Sequence, residues 1–205
     1  MSGKHSNKLV FTGAVLFLVI CTAGFAALFR RTVNVNGSII LTPTGMNPNF
    51  LNQVNECFIP TAAIYGYTLR ITSGFRSMTE QAQIYDDGRD GTGTIVSEAP
   101  PGHSLHNYGY AVDIVDRWRG YDIDWKQLIA IGAYCHLENG GPGDLPHFEY
   151  RDGLSTDDFA AGLRPPPLTL PCPVMATRSA ENQPLTLADL KSCGAPDFWS
   201  IISKN

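Results

Sequence analysis

The chain has 205 residues, enough for one domain with a small appendage and a single core of about 100–120 residues. Its formal net charge is −4 with no Lys/Arg cluster or basic stripe, so no nucleic-acid partner is expected. Glycine and proline are plentiful and concentrated after residue 87, which argues for a loop-rich chain and against a helical bundle.

Residues 1–8, "MSGKHSNK", form a short basic tail, and residues 9–29, "LVFTGAVLFLVICTAGFAALF", carry no charge. A hydrocarbon core of about 30 Å needs about 20 apolar helical residues, so this segment is read as a transmembrane signal anchor through which the protein meets the membrane. A secretory apolar region is usually only about 7–15 residues long, although "GFAA" offers small residues at a cleavage site. The small residues of the span also resemble the signal-anchor-release segments of some phage endolysins. Lys4 and Lys8 before the span balance Arg30 and Arg31 after it, so charge leaves the orientation open. The cysteines favour an outward one. Cys21 lies in the span; Cys57, Cys135, Cys172 and Cys193 form an even set in the remainder, the mark of disulfides in an oxidising compartment. Three pairings are open. Cys172–Cys193 is favoured by closeness in sequence, and four free buried thiols are the alternative. The part after the span is thus expected outside the cytoplasm, on a single-pass anchor in the cytoplasmic membrane.

Residues 30–46 read as a linker with one β-branched stretch. From Asn47, the residues Phe50, Leu51, Val54, Phe58 and Ile59 recur at helical spacing, with Pro60 expected to kink or end the helix and Gly66 to stop it. "YTLRITSGF" alternates as a strand. "SMTEQAQIYDDG" reads as a helix with a Ser77/Glu80 capping box and Gly88 after it. A turn-rich loop leads to the strand "YAVDIV". "DIDWKQLIAIGAYCHLENGG" reads as a helix ending near His136 or at the Gly140–Gly141 pair, and "PHFEY" as a short strand. Residues 154–205 shift in composition: "LRPPPLTLPCPV" is excluded from helix and central strand, "TLADLKSCG" offers one short helix, and the segment is expected to wrap or tether the domain of residues 47–153.

The chemistry gathers in "PPGHSLHNYGYAVDIV", residues 100–115. His106 and Asp113 lie seven residues apart, with Gly109 permitting a tight bend between them. An aspartate inside an apolar run is costly to bury unless it is paired or bound to a metal. "GDLPHFEY" adds His147 and, three residues earlier, Asp144. Three protein ligands leave zinc a fourth position for water, and a neighbouring carboxylate can take that water's proton. Arg76, in a turn after a strand, is the candidate for stabilising an oxyanion. Each piece alone also fits a satisfied core histidine, a surface aspartate or a solvated arginine.

Together, "SGFRSMTEQAQIYDDG", "PPGHSLHNYGYAVDIV" and "HLENGGPGDLPHFEY" resemble the zinc D,D-/L,D-carboxypeptidase and endolysin peptidase family. That group includes the L-alanyl-D-glutamate endopeptidases and the vancomycin-resistance D-Ala-D-Ala peptidases. The family pattern Ser-x-His-x-x-Gly-x-Ala-x-Asp is matched by Ser104, His106, Gly109, Ala111 and Asp113. The resemblance implies an α+β fold, a small central antiparallel sheet carrying one zinc ion with flanking helices, as in hedgehog signalling domains. It implies zinc ligands His106, Asp113 and His147, a general base Asp144, and Arg76 on the scissile carbonyl, with Phe75 in place of the usual tyrosine. Its substrate would be the peptide stem of peptidoglycan. "DLPH" resembles the L-alanyl-D-glutamate endopeptidase branch rather than the D,D-carboxypeptidase branch, which is the alternative; a non-catalytic zinc-containing wall-binding module is a third. Asn139 stands where that branch usually has tryptophan, which would alter the substrate wall. Ser77, Gln81, Ser104 and Tyr108 are candidates for substrate contact. His103 reads as a rim residue or a substrate contact, and Glu149 as an orienting partner of a ligand or a solvated carboxylate. Oligomeric state is left unassigned.

Overall fold

The computed structural model describes residues 31–33, 39–41, 45–89, 91 and 93–201. The expected anchor, residues 9–29, lies outside them, as do the basic tail and Cys21. Among the described residues no helix is long and apolar enough to cross a membrane. Within the stretch expected as a linker, β1 (Arg31–Val33) and β2 (Ile39–Leu41) pair antiparallel.

The first helical run starts where Asn47 accepts hydrogen bonds from the backbone N–H groups of Asn49 and Phe50, with Pro48 in the first turn. It comprises α1 (Pro48–Gln53), a π turn (Val54–Phe58) and α2 (Ile59–Ile64). Pro60 was expected to kink or end this helix; instead the wider π turn precedes it and the chain continues as helix. Proline cannot donate to a carbonyl four residues back and its ring crowds that carbonyl. The Ile59 N–H reaches Val54, five residues back, and so lets the ring pass. Phe50, Leu51, Val54, Phe58 and Ile59 are all buried, as their spacing predicts.

A four-stranded antiparallel sheet lies against these helices in the order β3 (Leu69–Ser73), β4 (Ala111–Asp116), β6 (His147–Glu149), β5 (Glu138–Asn139). The Phe58 and Phe148 rings, 4.6 Å apart, join the π turn to the sheet. The Ser77/Glu80 capping box opens α3 (Met78–Asp86) as expected. Helix α4 (Trp125–Tyr134) ends earlier than the sequence suggests. His136 adopts φ 60° and the Leu137 N–H returns to the Gly132 carbonyl, which turns the chain into β5, a two-residue strand too short to show alternation.

Two disulfides form, Cys57–Cys135 and Cys172–Cys193, the second being the favoured pairing. The C-terminal stretch holds more helix than the one segment expected: α5 (Thr156–Ala160), α6 (Pro173–Ala180), α7 (Leu187–Ser192) and a 3-10 turn (Phe198–Ile201). The proline run itself stays irregular, but Pro173 begins α6, where a missing N–H costs nothing. The stretch wraps the domain. Phe159, Met175, Leu185, Leu190 and Phe198 are buried, and Phe198 stands edge-on to Tyr65 at 5.2 Å.

Candidate metal centre

Strand register assembles the site. Asp113 on central β4 lies opposite Ser73 on β3 and opposite His147 on β6, so the three residues form one row across the sheet. Regular pairing from Ile71–Ile114 would have placed Thr72 opposite Asp113. A bulge inserts one residue and brings Ser73 there instead. Alternation then places Glu149 on the same face as His147.

His106 comes from a 3-10 turn (Leu105–Tyr108) capped by the Ser104 hydroxyl, which accepts from the His106 N–H. Gly109 ends the turn at φ 75°. A Cβ there would run into the backbone of Gly45–Asn47, whose Asn47 N–H donates to the Gly109 carbonyl at 2.9 Å. This position therefore needs glycine both for its conformation and for the close approach. His106 is buried, and its Nδ1 lies 2.7 Å from the Gly74 carbonyl. That oxygen can only accept, so Nδ1 carries the proton and Nε2 presents a lone pair to the cleft.

Three atoms converge. His106 Nε2 lies 3.3 Å from Asp113 Oδ1, His147 Nδ1 lies 3.3 Å from the same oxygen, and the two nitrogens are 3.2 Å apart. A tetrahedral ion bound at about 2.0–2.1 Å would hold its ligands about 3.3 Å from one another. The donor set and its spacing therefore fit a zinc-type ion, and these three residues could hold one.

The surrounding groups orient the triangle. His147 Nε2 is 2.8 Å from Glu149 Oε2, and Glu149 is buried and paired with Arg151, so of its two readings the structure selects the orienting one. Without an ion, burial opposes the protonated His147, but its bonds to Asp113 and Glu149 outweigh this and raise its pKa to about 9. The Asp113 carboxylate is also desolvated, yet the two histidines hold it well below the usual range. Asp113 is less enclosed than its apolar run implies: its neighbours are buried, but its own side chain is 23% exposed, facing the cleft.

Asp144 reaches the cleft from the loop between β5 and β6, with Oδ2 3.9 Å from His147 Nδ1. Desolvation at the cleft wall raises its pKa, the facing His147 pulls it down, and Asp113 adds to the rise. Arg76 Nη2 stands 3.6 Å from Asp113 Oδ2 and donates to Ser73 Oγ at 3.0 Å; Nη1 donates to Gln81 Oε1 at 2.8 Å. Burial lowers its pKa against the pull of nearby carboxylates, but a guanidinium stays charged at any working pH.

A cleft of about 930 Å³ opens over the triangle, lined on one side by Ile84, Ile95 and Val96 and on the other by Glu138, Asn139, Asp144 and Arg151. Of the four residues read as substrate contacts, Ser104 lines it. Ser77 instead caps α3, and Gln81 is fully buried between Arg76 and the Ala99 carbonyl. Tyr108 donates to the Gly102 carbonyl and packs on Phe159. Local side-chain chemistry accounts for these three without a ligand. His103 sits half-exposed on the rim, 3.7 Å from Asp157. Asn107 was not foreseen: its amide donates to the Arg76 carbonyl at 2.8 Å and ties the arginine's turn to that of His106.

The VanY family, described as D-alanyl-D-alanine carboxypeptidase, matches residues 45–128. The peptidoglycan L-alanyl-D-glutamate endopeptidase CwlK of Bacillus subtilis is 32% identical over 125 residues, which cover 52% of this chain and 74% of CwlK. The chain belongs to the VanY peptidase family. Among solved VanY-like structures, a Zn(II) complex of a variant of the vancomycin resistance D,D-pentapeptidase VanY is 19% identical, covering 66% of this chain and 85% of its own, with a TM-score of 0.44. The L-Ala D-Glu endopeptidase ChiX of Serratia marcescens is 22% identical, covering 56% and 84%, with a TM-score of 0.34.

Proposed function

We propose that this VanY-family chain is a zinc-dependent peptidase that hydrolyses the L-alanyl-D-glutamate bond of the peptidoglycan stem. The observation that carries the reading is the triangle of His106 Nε2, Asp113 Oδ1 and His147 Nδ1 at 3.2–3.3 Å, with Asp144 and Arg76 on its open side. These three residues would hold one zinc ion, which would supply an acidified water and a Lewis acid for the scissile carbonyl. Asp144 takes the proton that water loses as its oxygen bonds to the carbonyl carbon. Arg76 faces the developing negative charge on the carbonyl oxygen. As the C–N bond breaks, Asp144 returns the proton to the leaving amine, so the proton count closes. The raised pKa of Asp144 suits a group that both accepts and donates. Glu149 holds the His147 ring, and the Gly74 carbonyl holds that of His106.

Two observations favour the endopeptidase bond: the identity to CwlK, and the residue types of "DLPH" that carry Asp144 and His147. The VanY description favours the second reading, release of a terminal D-alanine. Product mass spectrometry on intact stem peptides separates them. New L-alanine carboxyl ends support the proposal; loss of one D-alanine supports the alternative. Binding of muropeptide without cleavage by zinc-loaded protein would favour the wall-binding module, and undiminished cleavage after exhaustive chelation would sink the metal's role.

The domain is further proposed to face outward from the cytoplasmic membrane, tethered by residues 9–29. The uncharged run and the two disulfides support this. Protease accessibility of the domain in spheroplasts tests it; protection from added protease would overturn it.

A further inference from the structure

The Asp144 carboxylate has little of its own to hold it. Its side chain is 59% exposed, and among the described residues its ion-pair partner is His147 at 3.9 Å, with no hydrogen bond to the carboxylate. Its position therefore rests on the backbone of the loop that carries it, residues 140–146. That loop is closed from within by one side chain. Asn139 Nδ2 donates to the Leu145 carbonyl and to the His147 carbonyl, each at 2.8 Å, and Asn139 Oδ1 accepts from the Gly141 N–H at 3.0 Å. One amide thus ties the loop's beginning to its end. The Asp144 N–H then bonds to the Gly141 carbonyl at 2.9 Å, next to the tethered N–H. Gly140 completes the fit, since a Cβ there would lie 2.7 Å from the Asp144 carbonyl oxygen and 3.0 Å from both the Asp144 Cβ and the His147 Cβ.

We propose that Asn139 is a positioning residue that sets the place of the Asp144 carboxylate in the cleft. This rests on the reading of Asp144 as the base. His147 depends less on Asn139, because β6 is paired to β4 and the Ile114 N–H holds the Pro146 carbonyl at 2.9 Å. Loosening the loop should therefore displace the base while sparing the metal ligand. A reacting group misplaced by about 1 Å can lose on the order of 100-fold in rate.

The test uses the full chain loaded with zinc and stem peptides prepared from peptidoglycan. Asn139→Asp keeps the acceptor and the shape but removes both donors. Its kcat should fall about 10–100-fold, with KM and zinc affinity within about threefold of wild type. Asn139→Ala, which removes both donors and the acceptor without adding a charge, should show the same split. The inference is overturned if a folded Asn139→Asp turns over within about twofold of wild type, or if its zinc affinity falls as far as its kcat, which would place the effect at His147. If Asn139→Asp does not fold, Asn139→Ala decides by the same criteria; loss of cooperative melting in both also overturns it, because a positioning role leaves the fold intact. Wild-type turnover in Asp144→Ala would instead overturn the base assignment on which the inference rests.

Discussion

The bridge Cys57–Cys135 joins residues 78 apart in sequence, whereas Cys172–Cys193 joins residues 21 apart. The first ties the π turn to the end of α4, both sulfurs buried behind the sheet that carries Asp113 and His147. The second closes the C-terminal stretch on itself, linking the start of α6 to the end of α7. The site region is thus built from distant contacts: sheet register, a long-loop bridge and the Phe58–Phe148 stack. The wrapping region is built from near ones, including two capping boxes, the Arg178–Asp189 pair and the short-loop bridge, and it docks through a few buried plugs such as Phe198. Distant contacts can bring three strands' side chains to one point. Local ones only shape a surface around it.

That division can be broken or sharpened by experiment. The largest effect is expected inside the site region without loss of fold: Asp144→Ala should retain zinc yet lose about 10²–10⁴-fold in turnover, measured by steady-state release of stem fragments. Wild-type turnover would reject the base assignment. Next come the bridges. Loop-closure entropy gives about 4.5 kcal/mol for the 78-residue separation and about 3.3 kcal/mol for the 21-residue one. Cys57→Ala with Cys135→Ala should accordingly cost more in denaturant unfolding than Cys172→Ala with Cys193→Ala. The second pair should also leave kcat per folded molecule within about twofold of wild type. Equal loss of turnover in both would erase the distinction between the regions.

The smallest effect concerns Asp116, at the far end of β4 from the site. It is buried, and accepts from the N–H groups of Thr68, Trp118 and Arg119 and from the Arg119 guanidinium. Burial alone would raise its pKa, but these bonds bring it down to about 2. A depressed carboxylate stabilises the fold fully above its unfolded pKa of about 4, and that stability is lost as pH falls through about 2. Asp116→Asn should therefore cost about 2 kcal/mol at neutral pH and flatten the acid limb of the stability curve, read by urea unfolding at several pH values. An unchanged acid limb would discard the assignment.

Short-range physics made much of this legible from the chain alone. The 3.6-residue spacing from Phe50 to Ile59, the Ser77/Glu80 box, the alternation in "YTLRITSGF" and the glycine after the His106 turn all act within one or two turns of backbone. The pattern of Ser104, His106, Gly109, Ala111 and Asp113 is equally compact, so the family resemblance could nominate His106 and Asp113 from one run, while His147 had to come from a separate block. Pro60 misled because a π turn is a whole-segment compromise that no single residue announces. Ser77, Gln81 and Tyr108 misled because a polar side chain near a motif reads alike whether it faces a ligand or its own backbone.

Composition and spacing by themselves determined the residue types, the order of the blocks and the cysteine parity. Only the tertiary structure decided the bulge that sets Ser73 opposite Asp113, the row that joins Asp113 to His147, and which nitrogen of each histidine faces the cleft. It chose between the two readings of Glu149 behind His147, and it alone found Asn139 across the Asp144 loop. Those features depend on groups brought together across strands and loops, and register over such distances is set by the packing of the whole core, not by any local run of residues.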